Sequence, residues 1–112
     1  MKKDDLVYVG HMLDTARAVV GKIHNVDREA FDRDDNLRLA ITHLIQVIGE
    51  AASRVSSEFR DKHQSVPWRA IVGMRHKVVH DYLYVNYDIV WAVATSQLPQ
   101  LIAQLEPIVP DE

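Results

Sequence analysis

Between Met74 and Tyr82 the chain reads MRHKVVHDY, which gathers Arg75, His76, Lys77, His80, Asp81 and Tyr82. An arginine is cationic at any physiological pH and presents a donor fork that fits a phosphate. An imidazole, with an unperturbed pKa of about 6.5, takes or gives a proton near neutrality. These residue types suit the cleavage of RNA, which brings its own nucleophile in the 2′-hydroxyl. Such a site needs a group to remove the hydroxyl proton, a group to protonate the leaving oxygen, and a cation for the phosphorane. It needs no metal, serine or cysteine. One chain supplies one Arg75–His80 set, and two chains about a two-fold axis would bring two histidines and two arginines into one cleft.

Two other readings of the same residues stay open. Five positions along a straight helix rotate a side chain by roughly 140°, so Arg75 and His80 converge only if the helix ends or unwinds near His80. Otherwise the pair is an ordinary structural feature of a helix end. His76 and His80 stand at i, i+4, the spacing of a zinc pair on one helix face. Between them no glutamate stands as a general base, and only His43, His63 and Asp81 offer themselves as a third ligand.

The elements that must position this segment are helical. At 112 residues, 47% hydrophobic and 26% charged, the chain has the size and composition of a single soluble domain, residues 1–112. It has no cysteine, which excludes disulfides and thiolate metal sites and fits a reducing cytoplasm. No secretory signal is visible behind Lys2 and Lys3, and the apolar stretches are interrupted too often to span a bilayer. A net charge of −3 gives no general attraction for nucleic acid, so an RNA partner would need a local basic patch. Lys62 to His80 supplies one: it contains no acid, and it holds Lys62, Arg69, Arg75 and Lys77 with three histidines.

Leu6, Val9, Leu13, Ala16, Val20 and Ile23 recur at three and four residues and predict a first helix that closes near residue 25. Leu37, Ile41, Leu44, Ile48, Ala51, Val55 and Phe59 predict a second, entered through the acidic DRDDN. Ser65 and Pro67 are the N-cap and first turn of a third, which carries Trp68, Ile71, Val72, Val78 and Val79 and ends near His80. A fourth starts at Asn86 or Asp88, runs to about Pro107, and is kinked or split at Pro99. The predicted fold is all-α, an up-and-down four-helix bundle. Between Ile89 and Leu105 there is no formal charge. That fits either a well-buried core helix or one covered on a second side by another subunit.

The order and spacing of Arg75, His80 and Tyr82 match the R-x4-H-x-Y motif, and the chain here resembles the HepT-like proteins of the HEPN superfamily. The stretches IGEAA (48–52), PWRAIVGMRHKVVHDY (67–82), YDIVW (87–91) and LPQL (98–101) extend the resemblance over nearly the whole chain. It implies a dimeric HEPN bundle with the motifs of both subunits facing a shared cleft. It also implies a metal-independent endoribonuclease without a cofactor, the toxin of a toxin–antitoxin pair. The antitoxin partner would be a minimal nucleotidyltransferase (MNT) that silences the nuclease by transferring AMP to the motif tyrosine. Carried over, Arg75 would stabilise the scissile phosphate, His80 would be the acid–base residue, and Tyr82 would accept AMP. His76 stands where the family commonly has Asn, and a second imidazolium there would lower the pKa of His80.

Around the motif, His76, Lys77, Asp81 and Glu50 are candidate supporting residues; Glu50 either meets a motif residue or faces solvent. Tyr84 and Tyr87 are expected to pack amphipathically with their hydroxyls in water. Trp68 and Trp91 are expected in the bundle, and His11, His24, His43 and His63 at surfaces or interfaces. The alternative function is a non-catalytic HEPN partner that binds a nucleotidyltransferase or a nucleotide.

Overall fold

The structure, a computed structural model, describes residues 3–81 and 84–110, with residues 3 and 79–81 described by their backbone alone. Helix α1 (Lys3–Ile23) closes at Asn25, whose φ of 60° is a left-handed turn that asparagine tolerates. A short helix, α2 (Arg28–Arg33), follows with Asp27 as its N-cap, and Asp34 then caps α3 (Asp35–Ser53). The acidic run thus starts α3 alone, and α2 starts at Asp27 ahead of it; each aspartate side chain accepts from a backbone N–H of its helix's first turn. Phe31 anchors α2, fully buried with Trp91 at 5.1 Å and Tyr87 at 6.3 Å between ring centroids.

The predicted second helix is shorter than expected. It stops at Ser53, and Val55 and Phe59 belong to a turn and to α4 (Ser57–Lys62). Ser56 is the N-cap of α4, and its backbone N–H and hydroxyl both donate to the buried carboxylate of Asp5, at 2.8 and 2.7 Å. The apolar spacing continues through the break, so both residues are buried all the same.

Helix α5 (Trp68–Val78) begins beside Pro67, whose carbonyl accepts from Ile71 N. It ends two residues before His80. The chain then becomes extended and forms a two-stranded antiparallel ribbon, β1 (Val79–Asp81) with β2 (Tyr84–Val85), in which Val79 faces Val85 and Asp81 faces Tyr84. Asn86 caps α6 (Tyr87–Ala92) as expected. A π-helical turn, Val93–Gln97, separates α6 from α7 (Leu98–Leu105). The division at the proline is therefore present: Leu98 N–H reaches back five residues to Val93 O, and Pro99 sits in the first turn of α7, where its missing N–H is not needed.

The fold is an all-α HEPN-type bundle of four rods: α1, α3, α5 and the α6–α7 rod, with α3 packed between α1 and α5 and α7 against α1. Its core runs through Val9, Met12, Phe31, Ile41, Ile45, Ile48, Val78, Val90, Leu98 and Leu105. The fourth rod, uncharged from Ile89 to Leu105, buries one face only. Ala92, Thr95, Ser96, Pro99, Gln100 and Ala103 lie exposed on it, so it is not an all-round core helix. Among the described residues, no helix is long and apolar enough to cross a membrane.

Candidate active site

Arg75 leaves the last turn of α5 and points its guanidinium at α3, where Nη1 donates to Glu50 Oε2 at 2.5 Å. Both side chains remain partly open to solvent, at 36% for Arg75 and 47% for Glu50. The hydrogen bond and charge of Arg75, aided by Arg54 at 3.4 Å, hold the Glu50 carboxyl below its ordinary value of 4.5. Glu50 is therefore ionised at neutrality and faces a motif residue, which decides between the two positions open to it. Gly49, one position earlier, faces α5 beside Arg75. A Cβ on Gly49 would stand 3.4 Å from Ile71 O and 3.5 Å from Arg75 Cβ, so α3 and α5 are already in contact there.

Glu50 takes one donor of a guanidinium that has five. The remaining edge has no hydrogen-bond partner among the described residues, and that edge can meet a phosphate. A partly exposed pair of this kind is screened by water, so the carboxylate orients the arginine more than it neutralises it.

His80 lies in β1, whose backbone is extended, rather than on α5. The rotation that would separate it from Arg75 on a straight helix therefore does not apply. The same geometry removes the ground for a zinc pair, since His76 and His80 no longer share a helix face. Among the described residues no three His, Asp or Glu side chains gather as a metal site. The side chains of His80 and Asp81 are not among those described, and Tyr82 lies outside the described residues.

His76 and Lys77 do not join Glu50. They are exposed on the other side of the α5 terminus, where they line an open cavity of 640 Å³ with Arg28, Tyr84, Asn86 and Asp88. Arg28 donates to Asp32 at 2.8 Å and to Asp88 at 2.7 Å; the two carboxylates raise its pKa, and the second pairs the acid at the cavity wall. This cavity was not legible in the sequence, because Arg28 stands 48 positions before His76. Its nearest sequence signal was the acid-free stretch that ends at His80.

The aromatic residues divide. Tyr87 is half-buried under the Arg38 guanidinium, 5.1 Å from the ring centroid, as amphipathic packing predicts. Tyr84 does not pack: it is 69% exposed. Trp68 is buried and donates to His63 O at 3.0 Å, and Trp91 is half-buried against Phe31, so both serve the bundle. His11, His24 and His43 are exposed, and His63 is half-buried with its ring 4.4 Å from that of Phe59.

Residues 12–108 match the family described as ribonuclease HepT-like. A protein of Caldanaerobacter subterraneus subsp. tengcongensis, provisionally named an RNase, is 35% identical over 105 residues, covering 94% of each chain. One from Methanocaldococcus jannaschii, also provisionally named an RNase, is 27% identical and covers 98% of this chain and 91% of its own. A Thermococcus cleftensis protein provisionally named ribonuclease HepT is 24% identical over 96% of this chain and 98% of its own. No solved structure matches. With nearly the whole length matched and the motif arginine held at the end of a helix in an all-α bundle, the chain belongs to the HepT-like ribonuclease family.

Proposed function

We propose that this chain is a metal-independent endoribonuclease acting as the toxin of a cytoplasmic toxin–antitoxin pair, and that Arg75 and His80 carry the chemistry. The RNA 2′-oxygen attacks the adjacent phosphorus as its proton passes to one His80. The 5′-oxygen leaves with a proton from a second His80, and a 2′,3′-cyclic phosphate and a 5′-hydroxyl remain. Arg75 holds the charge of the phosphorane between those steps. Glu50 keeps the guanidinium aimed and leaves its outer edge for the phosphate.

The observation that carries this reading is the end of α5 at Val78, between the two motif residues. It supplies the departure from helical geometry that convergence of Arg75 and His80 requires. The open, uncharged face from Ala92 to Ala103 supports pairing of two copies, which brings the second histidine.

Silencing follows from charge. An MNT-type nucleotidyltransferase moves AMP from ATP to the Tyr82 hydroxyl as pyrophosphate leaves. The new phosphodiester is an anion that pairs with Arg75 in place of RNA.

The experiment is cleavage of RNA in EDTA by the wild-type chain, Arg75→Ala and His80→Ala, with the intact mass of each recorded. Cleavage by unmodified wild type and its loss in both variants is the expected result. Activity surviving in His80→Ala refutes the mechanism. A silent wild type of unmodified mass refutes the nuclease and leaves the non-catalytic nucleotidyltransferase partner. A silent wild type that carries AMP mass on Tyr82 supports the proposed silencing, and cleavage restored by Tyr82→Phe then supports the nuclease.

A further inference from the structure

We infer that the cavity beside the motif is the track of a single-stranded RNA and that Tyr84 is a positioning residue, stacking on a base next to the scissile phosphate. The inference rests on the ribonuclease reading and adds to it where the strand runs and which side chain holds it.

Tyr84 is the most exposed of the large apolar side chains described, at 69%, and it belongs to a hydrogen-bonded ribbon, not to a free loop. An aromatic ring presented to water on a paired backbone is a platform for a flat partner that the bundle does not supply. Its position fits that partner. Tyr84 is opposite Asp81 across the ribbon, and paired strands lie about 5 Å apart, so its Cα stands within about one nucleotide of the β1 backbone that carries His80.

The charge around it fits a polyanion. Lys77 and His76 line the same cavity, both exposed. The acid on the wall, Asp88, is answered by Arg28. Arg28 is shared with Asp32, so the cation left for a phosphate is Lys77. Stacking on an aromatic ring with cations along the backbone is how single strands are held without base reading, because every base has a π face. Asn86 adds little to it: its side-chain oxygen accepts from Ile89 N.

The test uses the full chain, its intact mass confirmed to carry no AMP, and a fluorescein-labelled single-stranded oligoribonucleotide in EDTA, with Kd read by anisotropy and cleavage followed in parallel. Tyr84→Ala is expected to weaken Kd and raise KM by roughly tenfold or more, with kcat little changed. Tyr84→Phe keeps the ring and stays near wild type, which a role of the hydroxyl would not allow. Lys77→Gln lowers the slope of log Kd against log salt by about 0.7, the share of one phosphate on a single strand. Equal Kd in Tyr84→Ala and wild type overturns the track, as does a wild type that does not bind. Binding that depends on Tyr84 without any cleavage by wild type sustains the track and removes the nuclease instead.

Discussion

Gly49 faces α5 beside Arg75, where a methyl group fits and a larger side chain meets atoms already in contact. An added Cβ there would reach 3.4 Å from Ile71 O and 3.5 Å from Val72 O and Arg75 Cβ, which is ordinary contact. Gly49→Ala therefore fits and keeps most of the helix-propensity gain of about 0.8–1.0 kcal/mol. At about 2.1 cal/mol/K per residue, unfolding 112 residues has an entropy of about 0.24 kcal/mol/K, so that gain raises Tm by about 4 °C. Gly10→Ala on α1 is the reference, since nothing lies within 4 Å of a Cβ there. Gly49→Val is different. Its γ-carbons extend past atoms already in contact, and a β-branched side chain in a helix has one favoured χ1, so it cannot swing clear. The helix must recede, at about 1–3 kcal/mol or 4–13 °C in Tm. Moving Arg75 by about an ångström would lower kcat by roughly 100-fold. Thermal melts and single-turnover cleavage of the three variants read both effects. A Gly49→Val chain with wild-type Tm and wild-type kcat would refute the contact as the determinant of Arg75 placement.

Glu50 makes a prediction in pH. Because Arg75 holds its folded pKa below the ordinary 4.5, its contribution is complete above that value and disappears as pH falls through the lowered one. The Tm difference between wild type and Glu50→Gln should thus be constant from pH 7 to pH 5 and narrow only below; collapse between pH 7 and 5 contradicts the assignment. Glu50→Ala, which leaves Arg75 without its anchor, should lose roughly 10- to 100-fold in kcat while Tm moves little, since the pair is half-exposed. Asp5→Ala tests a purely structural tie. It deletes two hydrogen bonds from Ser56 to a carboxylate that is 4% exposed, and should cost about 3 kcal/mol, or about 13 °C in Tm by calorimetry. A shift under about 4 °C would mean that the tie contributes no more than an exposed pair.

Much of the bundle was legible because local spacing writes it: Val9, Leu13, Ala16, Ile41, Ile48, Trp68 and Ile71 all went to the core. What escaped depends on partners distant in sequence. The break at Ser56 is invisible in a pattern that keeps Val55 and Phe59 in phase, since the group that fixes it, Asp5, is 51 positions away. The DRDDN run read as one helix entry, yet its first two residues close α2 and only Asp34 caps α3; α2 itself starts at Asp27, before the run. Glu50 and Arg75 stand 25 positions apart, so their pairing followed only from the packing of α3 on α5. The ribbon gave no alternation to detect, as β2 is two residues long. Tyr84 was read as packed because a tyrosine between apolar neighbours usually is, and only the ribbon turns it outward.

The end of α5 is held in place from the far side of the motif. In a continuing helix the Val78 carbonyl would accept from residue 82; here it accepts from Asn86 N at 2.8 Å. The Asn86 side chain meanwhile accepts from Ile89 N and starts α6. One residue thus satisfies the last carbonyl of the motif helix and the first turn of the next rod. The alternative for that carbonyl, a further helical turn, would restore the rotation of roughly 140° between positions 75 and 80. Glu50 fixes the arginine from α3, and Asn86 fixes the extended strand from α6. The motif thus spans two elements of different geometry, a helix and an extended strand, joined at Val78, and each is fixed from a different neighbouring rod.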